Sequence, residues 1–192
     1  MWEQIGKTAS VSMHFLMIDG TGNPNTSQDY QQAVETLYGV AYALKFLLKK
    51  EQGMDYEVMP LEGLWWTPDM QGFSIEHKET WLWTMMIAQP EQVTAAQFER
   101  AREQVRRKKD SPALAKLRLE TFHEGLAAQI MHRGPYAAEG PTINRLHAFM
   151  REQGYTFDGS RQKHHEIYLS DPRRTAPDKM WTVIRQPVTR DA

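Results

Sequence analysis

The chain has 192 residues, 41% of them hydrophobic and 24% charged, with 23 Lys and Arg against 24 Asp and Glu. That length and composition fit one globular domain with a substantial core, and the near balance of charge excludes a global field that would draw the protein onto nucleic acid or an anionic membrane. There is no cysteine, which removes disulfides, thiolate nucleophiles and thiolate metal sites together and is compatible with a reducing cytoplasm. The opening M-W-E-Q-I-G-K has no apolar signal core, and no stretch approaches the roughly 18 apolar residues of a membrane span, so the expectation is a cytoplasmic protein without membrane contact.

Residues 7 to 18, K-T-A-S-V-S-M-H-F-L-M-I, read as a strand that runs into the turn-rich D-G-T-G-N-P-N-T. That glycine-rich run lacks the G-x-G-x-x-G spacing of a nucleotide loop. Thr26 with Asp29 has capping-box spacing, and Tyr30, Val34, Leu37, Ala41, Leu44 and Leu48 recur at helical intervals, which predicts a helix to about Lys50, stopped by Gly53. Two strand candidates follow, D-Y-E-V-M-P-L-E-G-L-W-W and E-T-W-L-W-T-M-M-I-A-Q-P, joined by the polar segment Thr67 to Lys78. Thr94 with Gln97 opens a second helix carrying Phe98, Ala101 and Val105, and Ser111-Pro112 opens a third helical stretch ending near Gly125. The basic run R-R-K-K at 106 to 109 falls at the end of that second helix, where cations favour the macrodipole, and reads as a solvated helix end.

The first order then returns. L-A-A-Q-I-M-H reads as strand, R-G-P-Y-A-A-E-G-P as turn, the segment with Ile143, Leu146 and Met150 as a helix ending at Gly154, and H-H-E-I-Y-L and K-M-W-T-V-I-R as two further strands. W-T-M-M-I-A-Q-P at 83 to 90 is echoed by W-T-V-I-R-Q-P at 181 to 187. Two copies suggest a duplicated unit and not a solenoid, which needs at least three. The expectation is an α+β domain of duplicated β-α-β-β units with pseudo-twofold symmetry, a mostly antiparallel sheet with helices on one face, and a ligand cleft at the seam. Residues 1-192 are one small-molecule-binding domain in this reading, with repeat one at about 7-90, a helical connector at about 91-124 and repeat two at about 125-190.

P-L-E-G-L-W-W at 60 to 66 sets a carboxylate among apolar and aromatic residues, which is costly unless the charge is paired, hydrogen-bonded or facing water. The repeat points Glu62 (or Glu57, since strand register is open) and Glu166 at the same seam. Aromatics surround them at strand positions, Trp65 or Trp66, Trp81 or Trp83, Tyr136, Tyr168 and Trp181, and alternation decides which of each pair turns inward. Such a pocket suits a flat aromatic or cationic ligand through stacking, cation–π attraction and carboxylate neutralisation. Partly desolvated carboxylates can also exchange protons near neutrality.

These residues carry a resemblance. P-L-E-G-L-W-W at 60 to 66, W-x-W-T-M-M-I-x-Q-P at 81 to 90, E-G-L-A-A-Q-I-M-H-R-G-P-Y at 124 to 136 and H-H-E-I-Y-L-S-D-P-R-R-T at 164 to 175 make the chain, over nearly its whole length, resemble the GyrI-like small-molecule-binding proteins. Within that family it is similar to the stand-alone branch of cyclopropyl hydrolases that act on spirocyclopropane DNA-alkylating antibiotics. The resemblance implies a drug-facing role for Glu166, because the matching strand of the family's multidrug sensors carries an acid in the drug pocket. Those regulators add a helix-turn-helix domain, whereas this chain opens on its first strand, so direct nucleic-acid binding is not expected.

The implied enzyme is a hydrolase in which Glu62 or Glu166 activates water and Tyr136 or His132 donates a proton, with Trp65, Trp66, Trp83, Met85, Tyr168 and Trp181 lining the ligand. The competing reading is a non-catalytic drug-binding or sequestering protein built on the same pocket. For Glu62 the plain alternative is a turn carboxylate in water, and for Glu166 an ion pair with an arginine such as Arg185. His164 and His165 are adjacent on a strand, point to opposite faces and cannot share a metal ion. No H-E-x-x-H spacing occurs, so no metal and no cofactor is expected. The expected partner is a small aromatic or cationic molecule, and the chain is a monomer or homodimer.

Overall fold

A computed structural model describes residues 5–9, 12–68, 77–157, 159 and 163–190. Along the chain these form β1 (Gly6–Ala9), β2 (Met13–Thr21), α1 (Gln28–Gln52), β3 (Leu61–Trp66), β4 (Leu82–Gln89), α2 (Ala95–Lys108), α3 (Ala113–Lys116), β5 (Arg118–Phe122), β6 (Leu126–Arg133), α4 (Gly140–Glu152), β7 (Tyr155–Thr156), β8 (His164–Tyr168), β9 (Trp181–Pro187) and β10 (Thr189–Arg190). The fold is α+β, with antiparallel strand pairing. Two compact units are assembled from separate stretches of chain: one from 1–11, 62–77 and 123–192, the other from 12–61 and 78–122.

In the 12–61 and 78–122 unit, β2 is the middle strand, flanked by β4 and β5. Leu37, Val40, Ala41, Leu44 and Leu48 of α1 are fully buried, each large one contributing roughly 1.5–3 kcal/mol. α1 begins one residue later than the expected Thr26 cap. Ser27 is the cap, its hydroxyl accepting from Tyr30 N–H at 3.2 Å, because Thr26 is taken up in the turn from Asn23. Gly53 ends the helix at φ 66°, in the left-handed region that glycine enters without cost. α2 carries the full expected capping box between Thr94 and Gln97.

The expected long helix from Ser111 to Gly125 is instead the single turn of α3 followed by β5, whose alternating R-L-E-T-F pairs with β2. Edge pairing wins here. Arg118 bridges to Asp19 of β2 and to Glu120, and Phe122 packs edge-on against Phe15 at 6.0 Å.

In the other unit the strand order is β1-β6-β9-β8-β3. The single strand expected over 7 to 18 is thus two strands, one in each unit. Likewise β3 covers only Leu61–Trp66 of the longer stretch expected from Asp55, since Pro60 has no N–H to donate to a ladder. The joining segment expected at Thr67 to Lys78 lies largely outside the described residues. α4 packs on β6 and β9 through Ala128, Ile130, Leu146, Met150, Tyr155 and Ile184. This leaves β9 with a simple alternation: Thr182, Ile184 and Gln186 are buried on the helix-covered face, while Trp181, Val183 and Arg185 are half-buried on the other.

Among the described residues, no helix is long and apolar enough to cross a membrane.

Candidate functional site

Strand alternation sorts the acids. In β8, His164, Glu166 and Tyr168 share one face and His165 and Ile167 the other. Register places Glu166 beside Ile184 and His165 beside Arg185, so Glu166 lies on the face covered by α4 and His165 on the opposite one. Glu62 follows His165 and Trp65 follows Tyr168, as their hydrogen bonds show. The two glutamates that sequence reasoning placed in one pocket therefore stand on opposite faces of the same sheet.

On the face away from α4, Glu62 and Glu124 clamp His165. Oε2 of Glu62 meets Nε2 at 2.8 Å and Oε1 of Glu124 meets Nδ1 at 2.8 Å, with all three side chains buried. With a carboxylate on each nitrogen, both nitrogens carry protons. Burial opposes that charge, but the hydrogen bonds and charges of Glu124 and Glu62 outweigh it and raise His165 to about 9. Burial pulls Glu124 in the other direction too. The hydrogen bond and charge of His165, then those of Arg185 at 3.1 Å, overcome it and hold Glu124 below the usual carboxylate range. Arg185, whose Nε also donates to Gln129 at 3.2 Å, thus serves Glu124 and not Glu166.

On the α4 face, Glu166 is the end point of converging donors. Tyr168 O–H donates to its Oε2 at 2.7 Å, and Trp65 Nε1–H donates to the Tyr168 oxygen at 2.9 Å, which fixes the direction of the chain. Gly63 makes room for this pair: a Cβ there would lie 2.7 Å from Trp65 Nε1 and 3.0 Å from the Tyr168 hydroxyl. From the other side, His147 Nε2 meets Gln186 Oε1 at 2.7 Å, and Gln186 Nε2 donates to His164 Nδ1 at 3.1 Å. That occupies the Nδ1 lone pair, so His164 presents Nε2–H to Oε1 of Glu166 at 3.0 Å. Burial pushes His147 below its ordinary value, which keeps this end of the network neutral.

The buried Glu139, at the start of α4, also hydrogen-bonds Glu166. Two carboxyls can do this only by sharing a proton. Burial would raise Glu166, but the hydrogen bonds of His164, Tyr168 and Glu139 together hold it below the usual range. The Glu166 side chain keeps 14% of its surface exposed. Tyr136 is exposed, and its ring stands edge-on to that of Tyr168 at 5.4 Å.

The other expected site residues are distributed as follows. His132 is buried, with Nε2 donating to the Pro135 carbonyl at 3.3 Å and Nδ1 facing the Thr142 hydroxyl at 2.9 Å. Trp66 is half-buried on the Glu62 face with the Lys163 ammonium 5.6 Å from its ring. Trp181 is half-buried on that same face, under the Arg133 guanidinium at 5.6 Å. Trp83 and Met85 belong to β4 in the other unit and are fully buried, Trp83 over Gly20 and edge-on to Tyr30 at 5.4 Å. Glu57 is exposed ahead of β3. Among the described residues, no group of three or more His, Asp or Glu is placed to hold a metal ion.

Sequence reasoning missed Glu124, Glu139 and Gln186. Glu124 had a signal in the adjacent Gly125, whose φ of 83° marks the turn before β6, and its carboxylate meets His165 of β8. Glu139 had one in being an acid at a helix start that makes no capping bond. Gln186 had none beyond its place on the buried side of an alternating strand.

The model of the GyrI-like small-molecule-binding domain matches residues 11–188. The chain belongs to the GyrI-like family. An uncharacterized conserved protein from Listeria innocua is 39% identical over 98% of this chain and 93% of its own, with a TM-score of 0.91. A hydrolase from Listeria innocua is 37% identical over the same shares, with a TM-score of 0.84. The EcmrR C-terminal domain, 11% identical over the full length of both chains with a TM-score of 0.59, shares the fold. Among proteins of curated function, none matches the chain. This GyrI-like domain is accordingly a small-molecule-binding domain with hydrolases among its structural neighbours.

Proposed function

We propose that this GyrI-like protein binds bulky planar aromatic or cationic molecules against Glu166, Tyr168, Trp65 and Tyr136, and hydrolyses electrophilic members of that class in xenobiotic detoxification. The substrate class is the spirocyclopropane DNA-alkylating compounds. The observation that carries this is a Glu166 carboxylate held ionised by the hydrogen bonds of His164 and Tyr168, with Trp65 and Tyr136 packed against Tyr168. The hydrolases among the structural neighbours support the same reading.

In the reaction, Glu166 takes a proton from water as the water oxygen attacks the cyclopropane CH₂. The C–C bond breaks, its electron pair enters the conjugated dienone, and the carbonyl oxygen becomes a phenolate that takes a proton from Tyr136 or from Glu139. Glu166 is a weak base, but ring strain and aromatisation drive the step, and positioned acid–base help contributes roughly 100- to 10,000-fold. Glu62 and His132 are support in this scheme, since the hydrogen bonds of both are spent within the fold.

The low proton affinity of Glu166 favours a second reading, a non-catalytic binder that retains cations by charge and stacking. Turnover separates the two. A trace of protein incubated with a large excess of a spirocyclopropyl dienone should give the water adduct by mass spectrometry, and Glu166→Gln should abolish it. Dye binding without any product from the wild type would leave only the binder.

A further inference from the structure

The outward stripe of α1 has a pattern unrelated to the Glu166 site. Tyr38, Tyr42 and Phe46 are spaced by four and stack along the helix, with ring centroids 6.5 Å apart at interplanar angles of 29° and 27°. Tyr42 is 48% and Phe46 61% exposed, although α1 already buries a complete apolar face of its own. Single exposed apolar residues are ordinary, but a continuous aromatic ladder on solvent marks an interaction surface.

The charges around the ladder name its partner. Glu35, Tyr42 and Lys49 are spaced by seven and so lie along one line of the helix, about 21 Å from end to end. The side chains of Glu35 and Lys49 remain 61% and 56% exposed beside their local partners, Lys109 and Asp55. The stripe is its own complement when reversed about Tyr42: Glu35 then faces Lys49, Tyr38 faces Phe46, and Tyr42 faces itself.

We infer that this stripe of α1 is a homodimer interface, in which two copies of α1 cross antiparallel about a twofold axis at Tyr42. A closed isologous contact requires that self-complementarity and a parallel pairing would forfeit it, setting Glu35 against Glu35 and Lys49 against Lys49. Aromatic residues are what such contacts enrich, and offset or edge-on ring pairs gain beyond area burial. The flanking ion pairs are exposed and set orientation more than affinity. One helix per copy is below the standard interface size, so the dimer is concentration-dependent.

Sedimentation velocity on the full chain from about 2 to 300 µM tests this in the range where a small interface associates. The wild type should move from monomer to dimer across it. Tyr42→Arg and, independently, Phe46→Ser should stay monomeric with circular dichroism and melting unchanged. Glu35→Lys alone should weaken association about tenfold, and Glu35→Lys with Lys49→Glu should restore it, since the antiparallel pairing is then only inverted. A wild type monomeric throughout, a dimer indifferent to Tyr42→Arg, or a double variant no better than the single one would each overturn the inference.

Discussion

His164 and His165 are consecutive residues of β8 whose imidazoles serve opposite faces of one sheet, the first holding Glu166 and the second holding Glu62 and Glu124. One strand thereby supports a hydrogen-bonded carboxylate on one side and a buried ion cluster on the other. The two glutamates should respond oppositely to the same isosteric change. Glu166→Gln should leave stability within about 1 kcal/mol, because its environment is already hydrogen-bonded and partly open, yet weaken a cationic aromatic dye about tenfold. Glu62→Gln should leave dye binding unchanged and cost roughly 1–3 kcal/mol, because His165 loses one of two buried counter-charges. Urea titration and dye fluorescence on the two variants check both.

Stability should fall on the alkaline side through His165. Its folded value of about 9 lies above the ordinary 6.5, so its contribution is fully present below about 6.5 and is lost as pH rises through 9. The shift corresponds to an upper figure of about 3 kcal/mol. Glu124, held low, has the reverse sense: its contribution is present above the ordinary carboxylate range and disappears as acid protonates it. Stability measured by urea titration from about pH 6 to 9.5 should show the alkaline loss, and His165→Gln should remove that slope.

Gly63→Ala should be costly for so small a change. The added methyl would meet both members of the Trp65–Tyr168 hydrogen bond, so the pair must separate or the strand must shift, at about 1–3 kcal/mol. Near-ultraviolet circular dichroism and melting report it. The same variant should weaken ligands of the Glu166 face, since Tyr168 then holds that carboxylate less firmly.

The strands and helices with clean periodicity were legible, including α1, α2 with its capping box, α4, β6, β8 and β9. β5 was not, because Ser111-Pro112 reads as a helix start and only pairing with β2 decides that R-L-E-T-F is extended. Glu166 was legible as a lone acid in an apolar strand. The common pocket for Glu62 and Glu166 was not, because alternation gives each strand two faces but says nothing of which face of β3 matches which face of β8. That matching is made by side chains, Glu62 with His165 and Trp65 with Tyr168, across 103 residues of chain. Sequence also gave no means of pairing Arg185 with Glu124 and Gln129, so an arginine partner for Glu166 was a natural expectation.

The two adjacent tryptophans of β3 provide a test of which face takes the ligand. Trp65 is buried on the Glu166 side with its N–H on Tyr168, whereas Trp66 lies half-exposed on the Glu62 side near Lys163. A planar quenching ligand held against Glu166 couples to Trp65 and leaves Trp66 unaffected. Trp65→Phe should therefore remove most of the ligand-induced quench and cost roughly 0.5–1.5 kcal/mol of affinity, while Trp66→Phe should preserve both. The charge of the ligand adds a second reading. Glu166 is held ionised below the usual carboxylate range, so a permanently cationic dye should keep full affinity down to about pH 4.5 and lose it only in more acidic solution, and a neutral polycyclic one should show no such loss. Quenching that survives Trp65→Phe and disappears with Trp66→Phe would move the binding surface to the opposite face of the sheet, beside Lys163 and away from Glu166.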